Sequence, residues 1–111
     1  MPHLRIHGLD KERILKASTP LLDKLAPVVG CPRDHFTLEH IHSTYVTDGR
    51  EEEAYPFIEM HWFDRGPEVQ DSVAGIITDQ IREVTDESTD IAVVFHALNT
   101  RNYYENGAHF G

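Results

Sequence analysis

The sequence holds a single cysteine, Cys31, among its 111 residues. One thiol excludes an internal disulfide and any zinc site built from several cysteines, so Cys31 reads as a small packing residue. No apolar run approaches the roughly 18 residues that a membrane-spanning helix needs. A signal peptide is not recognisable either, because Arg5 and His7 interrupt Leu4 and Ile6 near the start. These gaps point to a cytoplasmic protein with no membrane partner. Cations are scarce as well: 10 Lys and Arg stand against 19 Asp and Glu, a net charge of -9. Such a surface repels polyanions, which excludes nucleic acid as a partner and leaves solubility as the use of the acidic excess. There is no phosphate-binding glycine loop, and no local Ser-His-Asp or Cys-His signature.

What is present suits one globular domain spanning 1–111, given the chain length and an ordinary 40% hydrophobic content. Residues 2–7 alternate, Leu4 and Ile6 against His3, Arg5 and His7, with the period of a half-buried strand. A helix follows, capped by Asp10, striped by Ile14, Leu21, Leu25 and Val29, and ended by Gly30. Pro20 inside it predicts a kink or break near Thr19. The segment FTLEHIHSTYV, residues 36–46, reads as a second strand. TDGREEEA reads as a solvent-exposed connection that turns at Asp48-Gly49. YPFIEMHWF is a third strand, Gly66-Pro67 starts a second helix striped by Val69, Val73, Ile77 and Ile81, and DIAVVFHAL, residues 90–98, is a fourth strand. Asn106-Gly107 marks a short C-terminal hairpin.

One unit is thus written twice: strand, helix, strand. Two right-handed βαβ units sharing one mixed sheet, with both helices on one face, give an α+β fold. The sheet face away from the helices then collects His3, Arg5 and His7 from the first strand, Glu59 and His61 from the third, and Thr37 and Glu39 from the second. So many ionisable groups on one face suit the wet interior of a ring of subunits.

The second residue carries a different chemistry. If Met1 is trimmed, Pro2 becomes the N-terminus and its ring nitrogen a secondary amine, which is a base where an amide is not. With this start, the repeated strand-helix-strand unit resembles the tautomerase superfamily, in particular proteins similar to macrophage migration inhibitory factor (MIF). VGCPRDHFTLEH matches their passage from first helix to second strand, FDRGPE the start of the second helix, and NTRNYYENGAHF their asparagine-rich tail. PHLR, YPFIEMHWF, ITDQIR, AVVF and NYYENGAHF together look like an uncharacterised bacterial branch of that superfamily.

The resemblance implies a homotrimer around a central channel, with each proline near a subunit boundary. It implies a tautomerase, an isomerase that moves a proton between carbon and oxygen of a small carbonyl or carboxylate substrate through an enol. Pro2 is then the general base, its pKa brought toward neutrality by an apolar pocket and cationic neighbours. Arg65 and Arg33 fall where a substrate carboxylate or enolate would be bound, Arg65 preferred, and Tyr103 is a candidate hydrogen-bond donor or packing surface. Two departures stand out. Cys31 occupies the place of a lysine in MIF-like proteins, and Ala92 and Val94 those of a tyrosine and an asparagine.

Three other readings compete. Eight histidines invite a metal site, with His40 and His42 on one side of a strand and His3, His7 and His61 nearby. Spacing fixes no third ligand, however, so neither a metal nor another cofactor is assigned. A ferredoxin-like regulatory module shares the βαββαβ order. The third is a catalytically silent, tautomerase-like trimeric binding scaffold, in which Pro2→Ala leaves function untouched.

Overall fold

The computed structural model describes residues 2–111, and the expected removal of Met1 concerns a residue outside them. Strand β1 (His3–His7) leads to helix α1 (Lys11–Val29) and back to β2 (Thr37–Ile41). A small hairpin of β3 (Tyr45–Thr47) and β4 (Arg50–Glu52) follows. The pattern then repeats with β5 (Phe57–Trp62), α2 (Pro67–Arg82) and β6 (Ala92–Ala97), before a closing hairpin of β7 (Tyr104–Glu105) and β8 (Ala108–His109). The main sheet has the order β2-β1-β5-β6. Each repeat contributes a parallel pair, and the two repeats meet antiparallel at β1 and β5. In a ferredoxin-like split unit another strand separates the parallel pair; here β1 and β2 are direct neighbours, which sets that alternative aside.

Alternation decides which face is covered. Leu4, Ile6, Ile58, Met60 and Trp62 point to the helices and are at most 1% exposed. Leu21 and Leu25 of α1 and Val73, Ile77 and Ile81 of α2 close the same core from above. Leu38 packs against this core, as its position in the alternation requires.

The helix ends follow local chemistry. Asp10 caps α1 by accepting from the Arg13 amide at 2.9 Å, and Gly30, at φ +81°, donates to the Ala26 carbonyl. Pro67 occupies the first turn of α2, where its missing donor has no partner to lose. Of the kink or break expected near Thr19, the break does not occur: α1 runs unbroken through Pro20 and Pro27. Both prolines lie on its exposed side, where water can serve the freed carbonyls.

The second strand is shorter than expected. Residues 36–46 do not form one strand; pairing with β1 ends at Ile41, and Tyr45–Thr47 fold back against Arg50–Glu52. The expected turn is where this happens, with Asp48 at φ 51° and Gly49 at φ 76°, a pair of positive values that suits a two-residue hairpin. The C-terminal turn repeats the device at Asn106 and Gly107. No helix among the described residues is long and apolar enough to cross a membrane.

Candidate active site

Two features fix the position of Pro2. His3 lies level with Thr37 on one side and His61 on the other, so one residue earlier Pro2 falls level with Phe36 and Trp62. Its carbonyl accepts from the Thr37 amide at 3.0 Å. Pro2 is buried, and Phe36 and Trp62 are at most 7% exposed. This end of the sheet is therefore apolar, and the Trp62 indole Nε1 is buried there without a partner among the described residues.

Arg65 follows β5 at the same end. Its Nε donates to the Val29 carbonyl at 3.3 Å and Nη1 to the Phe63 carbonyl at 2.8 Å, which ties the end of α1 to the turn before α2. Cys31 feels that guanidinium, yet burial outweighs it and pushes the thiol up from its ordinary value. A thiol so raised stays protonated at neutral pH and is a poor nucleophile, in keeping with a packing role. Phe63, directly after β5, packs edge-on against Tyr103 at 5.4 Å, and Tyr103 in turn against Phe110 at 4.9 Å. The C-terminal segment thereby brings Tyr103 to the strand end that carries Pro2. Arg33 is engaged elsewhere, with Nε 2.8 Å from Asp23 Oδ1 and Nη2 3.5 Å from the Thr19 carbonyl, along the exposed side of α1.

The uncovered sheet face carries a connected set of ionisable groups. The Thr37 hydroxyl donates to His3 Nδ1 at 2.5 Å, and His3 Nε2 donates to Glu39 at 2.9 Å. Arg5 sits between the two carboxylates, 3.4 Å from Glu39 and 3.9 Å from Glu59. His7 Nε2 donates to Glu59 Oε2 at 2.5 Å, and His96 Nε2 to Glu59 Oε1 at 3.1 Å. The His7 bond, ahead of the nearby positive charge, holds Glu59 below the usual carboxylate range, and the His3 bond does the same for Glu39. His61 stacks on His96, rings 4.5 Å apart and 12° from parallel. Burial first, then the His96 imidazole, push His61 below the ordinary histidine value, so it is neutral at pH 7.

Strand alternation puts His3, Arg5, His7, Glu59 and His61 on this face, and all five are there. It also separates His40, which shares its side of β2 with Leu38, while His42 lies beyond the strand end. The sequence alone does not single out His96. Its signal was the alternation of DIAVVFHAL, in which His96 falls opposite in side to Val93 and Phe95, but only the pairing of His61 with His96 shows what it meets.

The family model described as "Domain of unknown function (DUF1904)" matches residues 1–109. A crystal structure of a DUF1904 domain from Sebaldella termitidis is 38% identical, with a TM-score of 0.92 over 99% of this chain and 100% of that one. MIF from Oncomelania hupensis is 15% identical, with a TM-score of 0.79 over 100% of this chain and 83% of that one. A fused 4-OT, described as a wild-type asymmetric trimer, is also 15% identical, with a TM-score of 0.80 over 96% of this chain and 94% of that one. At such identity the last two show the fold alone, and it is the tautomerase and MIF fold. No curated protein matches the chain.

Proposed function

The chain belongs to the DUF1904 family and has the tautomerase fold, and on that premise we propose that it is a tautomerase whose base is the Pro2 amine, freed by removal of Met1. One observation carries this reading: Pro2 is buried at an apolar strand end, level with Phe36 and Trp62, on the side of the molecule that also holds Arg65. An amine there is costly to charge, and a nearby guanidinium makes charging costlier still. Both effects favour the neutral base at working pH.

In ketonisation of a small enol, the Pro2 nitrogen takes the enol hydroxyl proton as the carbonyl forms. The resulting ammonium returns a proton to the neighbouring carbon, so the base is regenerated. Arg65 holds the substrate carboxylate or the developing enolate oxygen through Nη2, since Nη1 is committed to Phe63 and Nε to Val29. Tyr103, whose hydroxyl bonds no other described residue, supplies a donor or an aromatic wall. Arg33 contributes only by leaving Asp23, which makes it the weaker of the two arginines.

The working form in this reading is a homotrimer, a reading supported by the fused 4-OT neighbour, which is described as an asymmetric trimer. Three polar sheet faces then enclose a wet channel, which accounts for a cluster of ionisable groups left uncovered in a single chain.

A second reading, a catalytically silent trimeric binding scaffold, is favoured by Cys31, a neutral thiol where MIF-like proteins carry a lysine. Ketonisation of phenylenolpyruvate, followed by absorbance, separates the two. Protein whose intact mass shows loss of Met1 should convert it, and Pro2→Ala should not. Equal rates in both, or none above buffer, favour the scaffold.

A further inference from the structure

Glu59, His61 and His96 offer three ligand atoms that all lie within 4.8 Å of one another on the uncovered sheet face. From this cluster we infer a divalent transition-metal site, of the zinc class, at the level where β5 and β6 pair. The inference does not rest on the Pro2 mechanism, because these residues lie on the face away from the core and none of them serves in that reaction.

Four observations support it. First, geometry: His96 Nε2 and His61 Nε2 stand 3.1 and 3.8 Å from the same oxygen, Glu59 Oε1. Ligands bound tetrahedrally to zinc are separated by about 3.4 Å, so a side-chain shift on the order of 1 Å closes the three on one ion. Second, His61 Nε2 is a buried nitrogen with no hydrogen-bond partner among the described residues. Leaving such an atom unpaired is unfavourable, and a metal cation is one partner an imidazole nitrogen takes. Third, His61 and His96 stack with their ring centroids 4.5 Å apart, and two imidazoles with one carboxylate form a donor set that zinc, nickel and copper accept.

The fourth observation concerns the carboxylate's other oxygen. Glu59 Oε2 is held by His7 Nε2 at 2.5 Å, while Arg5 lies 3.9 Å away and is shared with Glu39. His7 therefore orients Glu59 with Oε1 turned toward the other two ligands, the kind of outer support that metal carboxylates require. His7 is a positioning residue in this site. Three protein ligands leave a fourth position open to the solvent side of the sheet, where a water or a small anion would complete the coordination. Hard cations such as magnesium, which demand oxygen ligands, do not fit this set.

The test is competition for zinc against a chromophoric chelator, using untagged protein. One zinc per chain is expected for the wild type. Glu59→Gln and His96→Ala should each weaken binding about tenfold or more, and His7→Ala by a smaller but measurable factor. His109→Ala, on the exposed C-terminal hairpin, should bind like the wild type. Cobalt loaded into the same site should show visible absorption bands that Glu59→Gln and His96→Ala lose, a readout that changes in general stability do not move. No zinc binding by the wild type overturns the inference. So does retained binding in both ligand variants, or loss on His40→Ala with His42→Ala while those ligand variants bind.

Discussion

Replacing Gly8 with alanine sets a steric cost beside a conformational one, and a second glycine separates the two. Gly8 has φ +75°, and a Cβ built there would stand 1.9 Å from the Tyr55 carbonyl oxygen and 3.1 Å from the Tyr45 hydroxyl. That carbonyl is also the acceptor for Tyr45, so the close approach of Gly8 helps seat the β3–β4 hairpin against the end of β1. Gly30 has a nearly equal φ of +81°, but a Cβ at that position would meet none of the described residues within 4 Å. Both alanine variants bear the left-handed backbone penalty, about 1–2 kcal/mol. Gly8→Ala adds the displacement of main chain, about 1–3 kcal/mol on the scale of other overpacked sites. Urea denaturation at equal chain concentration should therefore find Gly8→Ala less stable than Gly30→Ala by about 1–3 kcal/mol. Equal losses in the two variants would refute the steric argument and the hairpin placement with it.

Other consequences follow from the same geometry. Leu25→Ala empties a fully buried position and should cost about 2–5 kcal/mol, while Leu15→Ala on the same helix, 60% exposed, should stay within about 0.5 kcal/mol by the same denaturation assay. Arg65→Ala should lower kcat/KM for enol ketonisation about 100-fold, as loss of a single oxyanion donor does, and Arg33→Ala should change it less than about threefold. The depressed Glu39 carboxyl contributes stability that is present above its unfolded value and lost as pH falls through the folded one. Wild type should thus exceed Glu39→Gln at pH 7, with the gap closing below about pH 4 and shrinking with added salt, as the exposure of the pair requires. Light scattering should return three times the 12.7 kDa chain mass, and a monomer would remove the channel from the account.

The sequence carries the long elements well because their periodicities are clean. Leu4 and Ile6, then Ile58, Met60 and Trp62, mark the covered face without knowledge of the sheet order. Three features escape it for physical reasons. The β3–β4 arms are almost wholly exposed, so Val46, Glu51 and Glu52 obey no burial pattern, and the turn at Asp48-Gly49 shows while the strands beside it do not. Pro20 reads as a breaker because sequence does not reveal that its side of α1 faces water. Arg33 and His96 take their meaning from partners that only the folded chain supplies, Asp23 back along α1 and Glu59 across a strand pair.

The claim at the centre is that Pro2 is a free amine of lowered basicity. The direct measurement is the pH dependence of its reaction with an amine-selective acylating reagent, read by mass spectrometry on the N-terminal peptide. The expected result is a chain beginning at Pro2 whose labelling rises through a midpoint below the about 7.7–8.0 of an ordinary N-terminal amine. A chain that retains Met1, or a Pro2 midpoint in or above that ordinary range, would contradict it.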